Sequence, residues 1–169
     1  MRYLAMVMKS RFYHRLLAVN VDRISVQTED FDVAECYSVL REAEGDGAIV
    51  TFTGIVRELA QEARLAGIEL EHYPQMTHLA LEKLVADARS RFTLGAVTII
   101  HRVGKLAAHE QIVFVGVTSR HRQAAFDACQ FLMDILKRDV PLWKKEWHED
   151  GSGQWVAAKD SDKKAAAKW

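Results

Sequence analysis

Apolar and polar residues alternate across Arg23–Thr28, with Ile24, Val26 and Thr28 on one face, which predicts a strand. Asp32 followed by Glu35 resembles a capping box, and Val33, Tyr37 and Leu40 come after it at helical spacing. The turn-rich Glu44-Gly45-Asp46-Gly47 stops that helix, and Ala48–Val56 is rich in β-formers. The polar stretch Arg57–Gly67 reads as a mobile loop, and alternation returns over Ile68–Tyr73. Pro74 suits the first position of a helix. That helix carries Met76, Ala80, Leu84 and Ala88 on one stripe, with Leu81, Val85 and Phe92 beside it. Strands are predicted over Ala96–Val103 and Gln111–Thr118, joined by a loop containing Gly104. A long helix from Arg120 to Arg138 turns Ala125, Ala128, Cys129, Leu132, Ile135 and Leu136 inward, and Pro141 ends it. Leu142–His148 and Gln154–Ala157 predict a final hairpin around Gly151 and Gly153.

Strands and helices alternate without a GxGxxG or P-loop motif, so the expected architecture is one compact α+β domain over residues 22–157. Residues 1–21 are expected to be a basic, poorly ordered extension, and residues 158–169 a frayed Lys/Ala-rich tail. The extension lacks the apolar run and small-residue cleavage site of a signal peptide. No apolar run approaches the roughly 20 residues that span a bilayer.

Composition narrows the function classes. Hydrophobic residues at 49% and charged residues at 27% match a globular domain and exclude disorder and coiled coil. Cys36 and Cys129 lie far apart, which argues against a disulfide framework or zinc site and fits a reducing, cytoplasmic compartment. The 23 Lys and Arg balance 23 Asp and Glu, so a general nucleic-acid binder is disfavoured. The balance is uneven along the chain. Residues 1–21 hold four cations and no acid, residues 22–112 nine cations against fifteen acids, and residues 113–169 ten against eight.

Three cationic segments are candidates for chemistry. In Lys137-Arg138-Asp139-Val140-Pro141-Leu142-Trp143-Lys144-Lys145-Glu146, lysines flank a proline-broken helix end. Cations there favour the helix dipole, so a solvated cap with a core Trp143 is one reading. The other is a lysine crowded by cations, able to act as nucleophile or general base. Ser119-Arg120-His121-Arg122 opens the long helix, as either a phosphate site or a surface turn. Thr51-Phe52-Thr53-Gly54-Ile55-Val56-Arg57 ends a strand with a glycine and places Arg57 at the mouth of a polar loop, facing a ligand or solvent. The histidines form no HxxxH or HExxH pattern, so no metal is expected. His101-Arg102 and Cys129 read as structural, and acids beside Cys36 argue against a nucleophilic thiol.

Arg122 and Lys137 are fifteen residues apart on one predicted helix, which at about 1.5 Å per residue is roughly 22 Å. One small-molecule site cannot use both within a single subunit. The alternatives are two sites, or one site shared across a dimer, and the shared site is favoured.

Six short segments in order resemble the catalytic (large) subunit family of molybdopterin synthase. They are Val50-Thr51-Phe52-Thr53-Gly54 with Arg57; Leu70-Glu71-His72-Tyr73-Pro74 with Met76; Ile100-His101-Arg102-Val103-Gly104; Val115-Gly116-Val117-Thr118-Ser119 with His121-Arg122; Leu136-Lys137; and Pro141-Leu142-Trp143-Lys144-Lys145-Glu146. The resemblance implies an α/β hammerhead-type domain with an added antiparallel β subdomain. It implies sulfur transfer from the C-terminal Gly-Gly thiocarboxylate of a small ubiquitin-like partner to cyclic pyranopterin monophosphate, forming the dithiolene of molybdopterin. It also implies a homodimer within a heterotetramer, and no cofactor, nucleic-acid or membrane partner is expected. By the same resemblance Lys137 and Lys144 are the catalytic lysines. Arg57, His121 and Arg122 contact the substrate, the last two from across the dimer. Lys145 and Glu146 continue the pocket strand, and Ile55 and Val56 line it, with Ile55 replacing a lysine of relatives.

Two other classes remain open from the residues alone: a non-catalytic module that binds a phosphorylated ligand or partner tail, and a lysine-dependent Schiff-base enzyme. The shared-site expectation has a direct test. Mixing Lys137→Ala and Arg122→Ala subunits is expected to restore activity in the heterodimer. Verified heterodimers with no activity would refute sharing.

Overall fold

The computed structural model describes residues 22–57, 65–157 and 160–169. The expectations for residues 1–21 and for the middle of the Arg57–Gly67 loop therefore lie outside the described residues.

Strand β1 (Arg23–Gln27) leads into helix α1 (Val33–Leu40). The Asp32 carboxylate caps that helix by accepting from the Ala34 and Glu35 amides at 2.7 and 3.2 Å. Strands β2 (Ala48–Ile55) and β3 (Leu65–His72) precede helix α2 (Pro74–Arg91). Strands β4 (Val97–Arg102), β5 (Gly104–Ala107) and β6 (Gln111–Ser119) precede helix α3 (Arg122–Asp139). Strands β7 (Leu142–His148) and β8 (Gly153–Val156) and helix α4 (Asp160–Ala166) complete the chain.

These strands form two four-stranded sheets. Sheet A runs β1-β4-β6-β2, with β1 parallel to β4 and the other pairs antiparallel. Sheet B runs β5-β3-β7-β8 and is antiparallel throughout. The fold is therefore α+β, a mixed sheet with helices plus an antiparallel β subdomain.

Both faces of sheet A are covered, which explains the nearly continuous apolar runs of β4 and β6. Val97, Ile99, Val113, Val115 and Val117 join the main core with α2 and α3. Ile100 and Phe114 point the other way, against Phe31, Cys36 and Leu40. Gly116 is glycine for a steric reason: a Cβ there would come within 2.4 Å of the Leu40 side chain. Sheet B has its own small core of Val56, Ile68, Leu70, Val103 and Leu106.

Three expectations need correction. The loop expected around Gly104 is a sharp turn with φ +82°, after which the chain leaves sheet A and continues as β5 in sheet B. The inward stripe of α2 runs through Thr77, Leu81, Leu84, Val85 and Ala88, and Met76 is exposed. Thr77 takes the inward place by donating from Oγ1 to the Pro141 carbonyl at 3.3 Å. The tail expected to fray forms α4 instead. Ala166 is buried, and Trp169 meets Phe92 and Phe131 edge-on with centroids 6.1 and 5.5 Å away. Average polarity concealed this because two residues carry the contact. Among the described residues, no helix is long and apolar enough to cross a membrane.

The expected structural role of His101-Arg102 is what the fold shows. Arg102 is buried and donates to the carbonyls of Thr28 and Gln111, tying β4 to its neighbouring segments. His101 is buried with Nδ1 at 2.8 Å from the Arg102 carbonyl, which only accepts, so Nδ1 carries the proton. Burial pushes the imidazole pKa down to about 4; the carbonyl bond opposes this, and nearby His72 adds to it. The neutral form is thus the folded form. Stability is complete above the unfolded pKa near 6.5 and is lost as pH falls towards about 4. The urea midpoint is expected to fall between pH 7 and pH 4.5, with His101 contributing about 2–3 kcal/mol. His101→Gln should flatten that part of the profile, and an unchanged profile would refute the assignment.

Candidate active site

Helix α3 organises the candidate residues. Its inward stripe runs from Ala125 through Leu136 and packs on β2, β6, α2 and α4. The helix is continuous from Arg122 to Asp139. Arg122 therefore opens it and Lys137 sits in its last turn, about 22 Å away at 1.5 Å per residue. His121 is the N-cap residue by backbone conformation, but its side chain makes no capping bond. Both His121 and Arg122 are exposed, and one subunit does not bring them to Lys137.

Lys137 borders a cavity of about 420 Å3 between α3 and the outer strand β2. Val50, Thr51 and Phe52 form the β2 wall, and Phe126, Met133 and Asp134 line α3. Asp162 and Ala165 of α4 close one side. The floor is largely apolar, with the lysine at its rim. A cation in such a place meets an anion with less competition from water than on open surface. Sequence reasoning missed Phe126, Met133 and Asp134 as site residues. Their signal was present: Phe126, Gln130, Met133 and Lys137 recur at i, i+4, i+7 and i+11, one stripe beside the fully buried one.

Val140 and Pro141 separate α3 from β7, which carries the second lysine. Lys144 pairs with Glu146 at 2.8 Å, with the lysine 33% and the carboxylate 19% exposed. Both residues share a sheet face with Leu70, the direct cross-strand partner of Lys144. Lys145 projects to the opposite face, where its Nζ lies 3.9 Å from the Trp147 ring centroid. Trp143 is also on that face and 52% exposed, so it is not a core residue. Strand alternation separates two lysines adjacent in sequence: Lys144 accompanies Glu146, and Lys145 stacks on tryptophan.

The β2 end places the remaining candidates. Its pairing with β6 shifts register between Gly54 and Ile55. Val56 is buried in the small sheet-B core, whereas Ile55 and Arg57 are exposed. Among the described residues, no group of three His, Cys, Asp or Glu side chains is arranged to hold a metal.

This geometry defines a class: an α+β protein with an apolar cleft rimmed by lysine and further cations at the far end of the same helix. The MoaE protein family model matches residues 26–139. The molybdopterin synthase catalytic subunit of Salmonella typhimurium is 52% identical over 147 residues, covering 87% of this chain and 97% of that protein. The solved MoaE protein of Burkholderia ambifaria is 44% identical with a TM-score of 0.75, covering 88% of this chain and 98% of its own. A complex of subunits 1 and 2 of the molybdopterin-converting factor of Helicobacter pylori shares the fold at 18% identity and a TM-score of 0.66, covering 81% and 90%. The chain belongs to the MoaE family, whose curated relatives are molybdopterin synthase catalytic subunits.

Neither cysteine is suited to carry sulfur. Both are buried; burial is the largest cause raising the Cys36 thiol, and it pushes Cys129 up to about 11. Both thiols are expected to stay unreacted with an aromatic disulfide reagent at pH 8 until urea unfolds the protein. Stoichiometric labelling of the folded protein would contradict this.

Proposed function

We propose that this chain is the catalytic subunit of a molybdopterin synthase. It moves sulfur from the C-terminal thiocarboxylate of a small ubiquitin-like subunit to cyclic pyranopterin monophosphate. The observation that carries this reading is Lys137 at the rim of the β2–α3 cleft, in a member of this family. The cleft is largely apolar with an exposed lysine at its rim, which suits an extended Gly-Gly tail ending in an anion. In each transfer a C–S bond forms at a pterin side-chain carbon while the C–O bond at that carbon breaks, its oxygen leaving on the opened phosphate or as water, and the C–S bond of the thiocarboxylate breaks. The acyl carbon takes its oxygen from water and leaves as a carboxylate. Two transfers complete the dithiolene.

Lys137 meets the thiocarboxylate and handles protons at the reacting carbon. Lys144, steadied by Glu146, stabilises charge on the bound pterin. Arg57 binds the substrate at the end of β2, next to Ile55 and Val56. His121 and Arg122 hold the cyclic phosphate of the neighbouring subunit's substrate, since the continuous α3 keeps them from their own Lys137. The working unit is a homodimer of this chain with one small subunit at each end. Lys145 projects away from Lys144, so its part in the site is to support the strand by stacking on Trp147.

The test is turnover with cyclic pyranopterin monophosphate and thiocarboxylated small subunit. Lys137→Ala is expected to slow dithiolene formation by on the order of 10²-fold or more. Arg122→Ala is expected to raise KM with kcat largely kept. Near-full activity of Lys137→Ala would overturn the reading. A purely kcat defect in Arg122→Ala would remove its phosphate role.

A further inference from the structure

Asp134 and Lys137 lie three residues apart on α3 and line the same cleft. Opposite charges at that spacing pair on a helix surface. Here they do not. The Asp134 carboxylate accepts from the Trp169 indole Nε1 at 2.9 Å and pairs with Lys168 Nζ at 3.1 Å. It is 17% exposed, so both donors hold it in a sheltered place. Among the described residues, Lys137 has neither an ion pair nor a hydrogen bond from its side chain.

The two donors are themselves anchored. Trp169 rests edge-on against Phe92 and Phe131, and Arg91 donates to its carbonyl at 2.9 Å. Arg138 donates to the Ala166 carbonyl at 3.4 Å, which ties α4 to the last turn of α3. The packing alone would need only the aromatic ring. The indole N–H and the ammonium add a specific grip on one carboxylate, which sits one helical turn before Lys137 and lines the same cleft.

We propose that Lys168 and Trp169 are positioning residues for Lys137: they hold the Asp134 carboxylate away from it and leave its ammonium open to an anion entering the cleft. This rests on the reading of Lys137 as the group that meets the thiocarboxylate. Released from its clamp, Asp134 turns onto Lys137 and competes with that anion. Asp162, on the facing helix, also lines the cleft, and rescue at Asp134 separates the two acids.

The test uses a double variant, Lys168→Met with Trp169→Phe, which keeps the aliphatic stem and the aromatic ring but removes both donors. Two quantities are read: the single-turnover rate of sulfur transfer in the assembled synthase, and, on the full chain without the small subunit so that the cleft is open, the rate at which an amine-reactive ester acylates Lys137 at fixed pH, followed by peptide mass. Both are expected to fall about two- to fivefold, the range of a partly exposed ion pair. Adding Asp134→Asn to the double variant should restore both, since the carboxylate that competes for Lys137 is then gone. If the double variant does not fold, Trp169→Phe alone should give a smaller change of the same sign. Unchanged acylation, or no rescue by Asp134→Asn, overturns the clamp. A loss and rescue of acylation without any effect on sulfur transfer would keep the clamp and overturn the catalytic reading of Lys137.

Discussion

The burial of one stripe of α3 against sheet A sets where each chemical group of the site can be. Leu132 and Leu136 are almost fully buried in that contact, and each buried leucine contributes about 1.5–3 kcal/mol. The helix can neither slide nor break without exposing them. Its two ends are therefore held at a fixed distance, with Arg122 at one and Lys137 at the other. The same contact leaves the neighbouring stripe, Phe126 to Lys137, facing β2 across a cleft. Both ends of so rigid a rod can meet at one small molecule only if two copies of the helix supply them.

Around Lys137 and Lys144 the fold treats neighbouring charges differently. Lys144 has a carboxylate partner in Glu146, so its position is defined but its charge is partly balanced. Lys145 rests on Trp147 and faces away. Asp134, one turn from Lys137, is engaged by Lys168 and Trp169. Among the described residues, the cation at the cleft, Lys137, is left open while its neighbours are engaged, and it is the assignment of partners that produces this within a chain of zero net charge.

Much of the fold was legible because its signals are local. The Asp32 cap, Pro74 at the start of α2, the alternation of β1 and the stripe of α3 all report on residues a few positions apart. Cationic segments at the two ends of α3 could also be read, and helix rise alone showed that they are distant. What could not be read depends on partners far along the chain. Met76 loses its inward place because Thr77 reaches the Pro141 carbonyl, 64 residues on. Gly104 is a point of passage between sheets, which no local pattern distinguishes from a loop. The last helix was hidden by its Lys and Ala content, since Trp169 finds Phe92 and Phe131 only after α2 and α3 have met.

The sequence by itself determined the order of the elements, the apolar stripe that fastens α3, and the lysines, arginines and histidine that chemistry could use. These follow from periodicity and spacing, which act within a turn or a strand. The tertiary structure alone decided which of those charges is open. Strand pairing set the face each β7 lysine takes, and the return of α4 to α3 gave Asp134 its partners. Such choices arise from contacts between segments distant in sequence, and a charge is free or neutralised only once those contacts exist.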